Sequence, residues 1–202
     1  MNRVLIGCCS GWQMHKRRKR CLDTWIKDLH EMVLAPPIAD GVLLLGTLQA
    51  TVPERYGNYL FLPVPNNYQF LVQRTPAFCR WALEQQWWEY LFKTDDDTRL
   101  DIQRLLSYDT QGADYIGPEW KPGVGYGSGN GYLLSRRAAA VVSENLTDWE
   151  GSEDTRVGEV LAISGIHLRV DNDHFKVLTQ PDETPGPEND WVYASPRNRE
   201  PE

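Results

Sequence analysis

Short apolar runs alternating with longer amphipathic stretches set the plan of the chain. The run from Arg3 to Cys8 and Gly41-Val42-Leu43-Leu44-Leu45-Gly46 are continuously apolar and bounded by turn residues, as in strands buried on both faces of a parallel sheet. Tyr59-Leu60-Phe61-Leu62 is a shorter strand candidate. Cys21, Leu22, Trp25, Leu29 and Met32 recur at helical spacing and predict a helix from about Lys16 to Met32, ended by Pro36-Pro37. A second helix is predicted from about Tyr68 to Gln86, leading into Trp87-Trp88-Glu89-Tyr90-Leu91-Phe92, a run rich in strand formers. A small helix from Asp101 to Tyr108, strands at Asp114 to Gly117 and Tyr132 to Ser135, an alanine-rich helix and a helix opened by Ser152 complete the series. Strands alternating with helices indicate one three-layer α/β domain, a mixed and mostly parallel sheet flanked by helices. It is expected to span residues 1–179, with an irregular tail rich in Pro and acidic residues over 180–202.

Composition narrows this only a little. A hydrophobic share of 41%, a charged share of 24% and 202 residues suit one globular domain with a full core. The net charge of -7 argues against nucleic-acid binding over a whole face, although His15-Lys16-Arg17-Arg18-Lys19-Arg20 is an unbroken basic run. Cys8, Cys9, Cys21 and Cys79 form no Cys-x-x-Cys pair, which excludes the usual zinc spacing. No leader and no membrane-spanning apolar run is visible, so a soluble, cytoplasmic protein with reduced thiols is expected.

Three stretches carry candidate chemistry. Lys93-Thr94-Asp95-Asp96-Asp97-Thr98 places three carboxylates side by side after a strand. They need solvent, a counter-charge or a cation, and hard divalent ions select such oxygen ligands. A solvated turn ahead of the helix near Asp101 accounts for the same residues. Gly123-Val124-Gly125-Tyr126-Gly127-Ser128-Gly129-Asn130-Gly131 has glycine at every second position, which in an extended segment lets backbone approach a ligand closely, or else marks a flexible hairpin connection. The glycines precede a strand instead of following one, and neither nucleotide-loop spacing occurs, so ATPase and NAD readings fall. Ser152-Glu153-Asp154-Thr155 opens a helix, where Ser152 suits an N-cap and the acids suit the dipole. Asp154 or Glu153 is alternatively a general base at a pocket rim.

Taken in order, the chain carries Arg17-Arg18-Lys19-Arg20-Cys21-Leu22-Asp23-Thr24-Trp25, Glu54-Arg55-Tyr56-Gly57-Asn58-Tyr59-Leu60 and Asn67-Tyr68-Gln69-Phe70-Leu71-Val72-Gln73-Arg74-Thr75. The aspartate triplet, the glycine stretch with Tyr132-Leu133-Leu134-Ser135, and Ser152 to Gly158 follow. This series resembles the β-1,3-galactosyltransferase and fringe-like glycosyltransferases over roughly Val4 to Phe175. The resemblance implies a GT-A, Rossmann-like domain that uses Mn²⁺ or Mg²⁺ and a UDP-sugar, and generally inverts the anomeric carbon. It implies Asp95 and Asp97 as metal ligands, with His174, or second to it His167, completing the shell. Asp96 would face the sugar or ribose. Arg17, Arg18 and Arg20 would lie near the uridine or diphosphate, and Arg74, Lys93, Gly129 and Gly131 belong to the same donor-binding motifs. Asp154 would be the base, with Glu153 beside it. Asn58 and Asp101 depart from the family pattern, which has Asp and Asn there, and Arg74 stands where Lys is usual.

The acceptor, a glycan or other hydroxyl compound, does not carry over from the family. One rival reading is transfer to a hydroxymethylated base in DNA by a small viral or bacterial enzyme, with the basic run touching phosphates. Another, of a different class, is a non-catalytic nucleotide-sugar-binding module. An EF-hand is excluded because Arg99 breaks the ligand series and Leu106 falls where its last Glu belongs.

Overall fold

The computed structural model describes residues 2–32, 38–119, 121–128, 131–147, 150–178 and 193–196. In chain order the elements are β1 (Val4–Cys9), α1 (His15–Cys21), α2 (Lys27–Glu31), β2 (Ala39–Gly46), β3 (Glu54–Tyr56), β4 (Tyr59–Leu62) and α3 (Leu71–Glu84). Then come β5 (Tyr90–Asp95), β6 (Arg99–Leu100), α4 (Ile102–Ser107), β7 (Tyr115–Gly117), β8 (Gly131–Ser135), α5 (Arg136–Asn145), α6 (Glu153–Ile163), β9 (Arg169–Val170), β10 (Phe175–Leu178) and β11 (Tyr193–Pro196).

Eight strands form one sheet in the order β3-β4-β2-β1-β5-β8-β7-β9. The run β4-β2-β1-β5 is parallel throughout, whereas β8 lies antiparallel to both β5 and β7. The parallel strands are the continuously apolar ones because helices cover both faces. Successive residues of β1 alternate between two cores. Leu5 and Cys9 join Val42, Leu44, Phe78, Leu91 and Val157 beneath α3, α5 and α6. Val4, Ile6 and Cys8 join Cys21, Trp25, Leu43, Phe92 and Leu105 on the opposite face. All four cysteines are buried and free. Among the described residues no helix is long and apolar enough to cross a membrane.

Several elements differ from the sequence expectation. The long first helix is interrupted by a π-helical turn over Leu22–Ile26, where Thr24 leaves helical geometry (φ -116°, ψ -109°). The Thr24 hydroxyl donates to the Arg20 carbonyl at 2.7 Å, a local bond that competes with the helix ladder. Trp25 and Ile26 stay buried across the break, so the apolar spacing survived while the helix did not. Pro36 and Pro37 lie outside the described residues. The second helix ends at Glu84, and the following strand starts at Tyr90 and runs on to Asp95, past the aromatic run and into the polar motif. Of the tail, expected to be largely irregular, Tyr193–Pro196 is a strand between β10 and β6 in a small second sheet. The other tail residues lie outside the described set.

The glycine stretch is not one extended ribbon. Gly123 and Gly125 have φ of +83° and +74°, a left-handed conformation that glycine adopts without penalty, and the chain turns there. Gly129 lies outside the described residues. Gly131 opens β8 directly opposite Thr94 of β5.

Candidate active site

The parallel strands end on one edge of the sheet, where open α/β sheets collect ligands. There, β1 is followed by Ser10-Gly11 and β5 by Asp96-Asp97. The two turns are clipped together because the Asp96 amide donates to the Cys9 carbonyl at 3.1 Å. Cys9, Ser10, Gly11, Gln13, Met14, Arg17, Asn66, Tyr68, Leu71, Arg74, Asp95, Asp96 and Asp97 line an open cleft at this edge.

Three carboxylates within one turn repel one another, and the fold answers each separately. Lys93 Nζ lies 3.0 Å from Asp95 Oδ1. Ser10 Oγ donates to Asp96 Oδ2 at 2.5 Å. Arg17 Nη1 sits between the other two acids, 3.6 Å from Asp96 Oδ1 and 3.7 Å from Asp97 Oδ2, with its side chain only 14% exposed. Burial, together with Asp95 and Asp97, outweighs the Ser10 bond and Arg17 and lifts the Asp96 carboxyl to about 6.

Below the cleft floor, Lys93 joins the triplet to the second acidic site. Residues 91, 93 and 95 of β5 share the face under α3 and α6, and Lys93 Nζ lies 3.2 Å from Glu153 Oε2 at the start of α6. Glu153 also accepts from Thr75 Oγ1 at 2.7 Å and from the hydroxyl of Tyr132, the residue opposite Lys93 in the β5–β8 register. Burial raises the Glu153 carboxyl above its ordinary range, against the opposing pull of Lys93, Tyr132 and Thr75. Burial pulls the Lys93 ammonium down, but Asp95 and Glu153 override it, and its pKa ends well above the ordinary value. Glu153 is therefore committed to internal bonds. Its neighbour Asp154 is half-buried, and its Oδ1 accepts from the Thr155 amide at 2.9 Å.

The basic run is divided among internal tasks. Arg18 is buried and donates to the Gly11 and Trp12 carbonyls, holding the loop after β1. Arg20 donates to the Asp96 carbonyl at 3.1 Å. Arg17 faces the cleft. From α3, Arg74 reaches the Ser10 carbonyl at 2.6 Å, and its Nε is buried with no hydrogen-bond partner among the described residues. A donor left so in a cleft wall suits an anionic ligand.

His174 is elsewhere. Its Nδ1 lies 2.9 Å from Asp171, its ring meets Tyr108 edge-on, and it lines a second cleft with Arg104, Arg169 and Asp171 that shares no residue with the aspartate cleft. His167 lies between α6 and β9 and lines neither cleft. Among the described residues no three His, Cys, Asp or Glu side chains gather as a metal cage. The carboxylates that open on the aspartate cleft are hard oxygen donors, and Mg²⁺-type sites typically combine one or two carboxylates with a ligand's phosphates. A guanidinium already seated against Asp96 and Asp97 indicates that the place favours a cation. The chemistry of the triplet is thus compatible with a hard cation in this cleft.

Sequence reasoning overlooked Ser10, Asn66 and Gln13 in the cleft, and Thr75 and Tyr132 beneath it. Only Ser10 carried a cue, as the turn residue directly after the first buried strand.

No protein-family description matches the chain, and no curated protein matches it by sequence. Solved structures do. One is a glycosyltransferase involved in the glycosylation of the major capsid of PBCV-1, 11% identical over 95% of this chain and 92% of that one, with a TM-score of 0.58. Another is the mannosyltransferase PcManGT from Pyrobaculum calidifontis in complex with GDP-Man and Mn²⁺, 11% identical over 84% of this chain and 55% of that one, TM-score 0.52. An active-site mutant of LgtC is 12% identical over 97% of this chain and 87% of that one, TM-score 0.52. The fold shared with these structures is the GT-A, Rossmann-like fold of glycosyltransferases.

Proposed function

We propose that the chain is a metal-dependent, inverting glycosyltransferase that moves a hexose from a UDP-sugar to an acceptor hydroxyl. The observation that carries this reading is the aspartate cleft, where Asp95, Asp96 and Asp97 open beside Arg17 and Arg74 at the carboxyl end of a central strand. Asp95 and Asp97 would hold the divalent ion, and His174 is left out of the set because it lines another cleft beside Asp171. Such an ion, when bound, offsets the negative charge that builds on a departing diphosphate.

The chain's own groups do the rest. Arg17 and the Nε of Arg74 bind phosphate oxygens, where a guanidinium gives directed, charge-assisted bonds. Asp96, held by Ser10, presents its second oxygen to a sugar or ribose hydroxyl. Asp154 removes the proton from the acceptor hydroxyl as that oxygen attacks the anomeric carbon. Glu153 is a positioning residue: through Lys93 it fixes the first turn of α6, and so Asp154, relative to Asp95.

Binding and turnover measured on two variants test this. Asp97→Ala is expected to lose Mn²⁺-dependent UDP binding and transfer together, and Asp154→Ala to keep binding while transfer falls by about 10²-fold or more. Normal turnover by Asp154→Ala would remove the base assignment.

A further inference from the structure

Arg17 is a cleft cation that spans two members of the triplet. Its neighbours are fixed otherwise. Lys93 is buried, 1% exposed, and locked between Asp95 and Glu153. Arg74 is tied to the Ser10 carbonyl and Asn66. Arg17 instead reaches in from α1 with contacts of 3.6 and 3.7 Å, longer than a hydrogen bond. It balances the charge of Asp96 and Asp97 from beyond hydrogen-bond distance of both.

We propose that Arg17 is an internal stand-in for the divalent ion, holding the seat beside Asp97, the carboxylate it shares with the ion's proposed site, until a nucleotide diphosphate arrives and takes the guanidinium. The inference rests on the metal site of the proposed function. Two cations cannot share that seat, since repulsion between them at about 4 Å in a partly buried site costs several kcal/mol. Without nucleotide, the ion must displace Arg17 into a cleft lined by Arg74 and, among the described residues, by no acid outside the triplet. With the diphosphate bound, the guanidinium exchanges carboxylates for phosphate oxygens of at least equal affinity. Metal and nucleotide therefore bind as a pair, each raising the other's affinity by the same factor. The device also keeps a free metal ion from occupying the triplet unaccompanied.

The test is Mn²⁺ binding to the full chain, followed by electron paramagnetic resonance with and without UDP, in wild type, Arg17→Gln, Arg17→Lys and Asp97→Ala. Wild type is expected to bind Mn²⁺ weakly alone and much more tightly with UDP. Arg17→Gln should bind Mn²⁺ alone about tenfold more tightly or better, and the enhancement by UDP should shrink by about the same factor. Arg17→Lys, which keeps the charge, should stay near wild type. Equal or weaker Mn²⁺ binding by Arg17→Gln, with Asp97→Ala abolishing binding, would overturn the stand-in role and leave the metal site standing. Absence of Mn²⁺ binding by wild type and Arg17→Gln, even with UDP, would overturn both. Thermal melting of each variant separates these outcomes from misfolding.

Discussion

Lys93 is the residue on which the candidate site turns. A fully buried ammonium between two carboxylates is costly to lose, because each carboxylate is then left in low dielectric without its partner. Lys93→Met is expected to destabilise the protein by about 3–5 kcal/mol, read as a lower denaturant midpoint. Adding Glu153→Leu should restore much of that stability without restoring transfer, since Asp95 and α6 would still lack their link. Asp96 gives a pH signature. Its folded-state pKa of about 6 exceeds the ordinary 3.8, so the folded protein holds that proton more tightly than the unfolded chain. The favourable contribution is full below about pH 4 and is lost as pH rises through about 6. In metal-free protein, Asp96→Asn should accordingly match wild type near pH 4 and exceed it by roughly 2 kcal/mol at about pH 7.5. Chemical denaturation across that range checks it.

Among the elements, α6 depends on a glycine whose purpose the sequence concealed. A Cβ at Gly158 would meet the Cβ of Tyr126 at 2.3 Å, so the glycine loop packs flat against the helix that carries Glu153 and Asp154. Gly158→Ala is expected to cost about 1–3 kcal/mol by overpacking and to depress transfer more than nucleotide binding, because α6 must move while the aspartate cleft stays. Melting and a comparison of UDP affinity with turnover decide the point. What was readable from sequence follows from the same logic. The buried strands, both helix-covered faces and the aspartate cleft were legible because period and burial coincide in β1, β2 and β5. The break at Thr24 was not, since a hydroxyl bonding back to Arg20 leaves the apolar spacing intact. The glycine stretch misled because alternation suggests extension, while positive φ at Gly123 and Gly125 bends it. The Lys93–Glu153 pair joins a strand to a helix six elements further on and has no local trace.

On the scale of the whole molecule, the small second sheet backs the site. β11 pairs with β6, which begins just after Asp97 and Thr98. Ending the chain after Leu178 removes that pairing and is expected to lower the melting temperature and weaken Mn²⁺-dependent UDP binding, with the eight-stranded sheet intact by circular dichroism. The likeness to the solved structures is of the same scale, extending over 95% of this chain for the PBCV-1 glycosyltransferase at only 11% identity. What is kept across so low an identity is the backbone path.

The reversal of direction between β5 and β8 has a consequence for how such a protein diversifies. Because β8 runs opposite to β5, its first residue stands next to the last residues of β5, and the connection leading into it arrives beside the aspartate turn instead of at the far edge of the sheet. Diversification of that connection would therefore be felt at the aspartate turn and, through Tyr126 packed against Gly158, at the helix that carries Asp154.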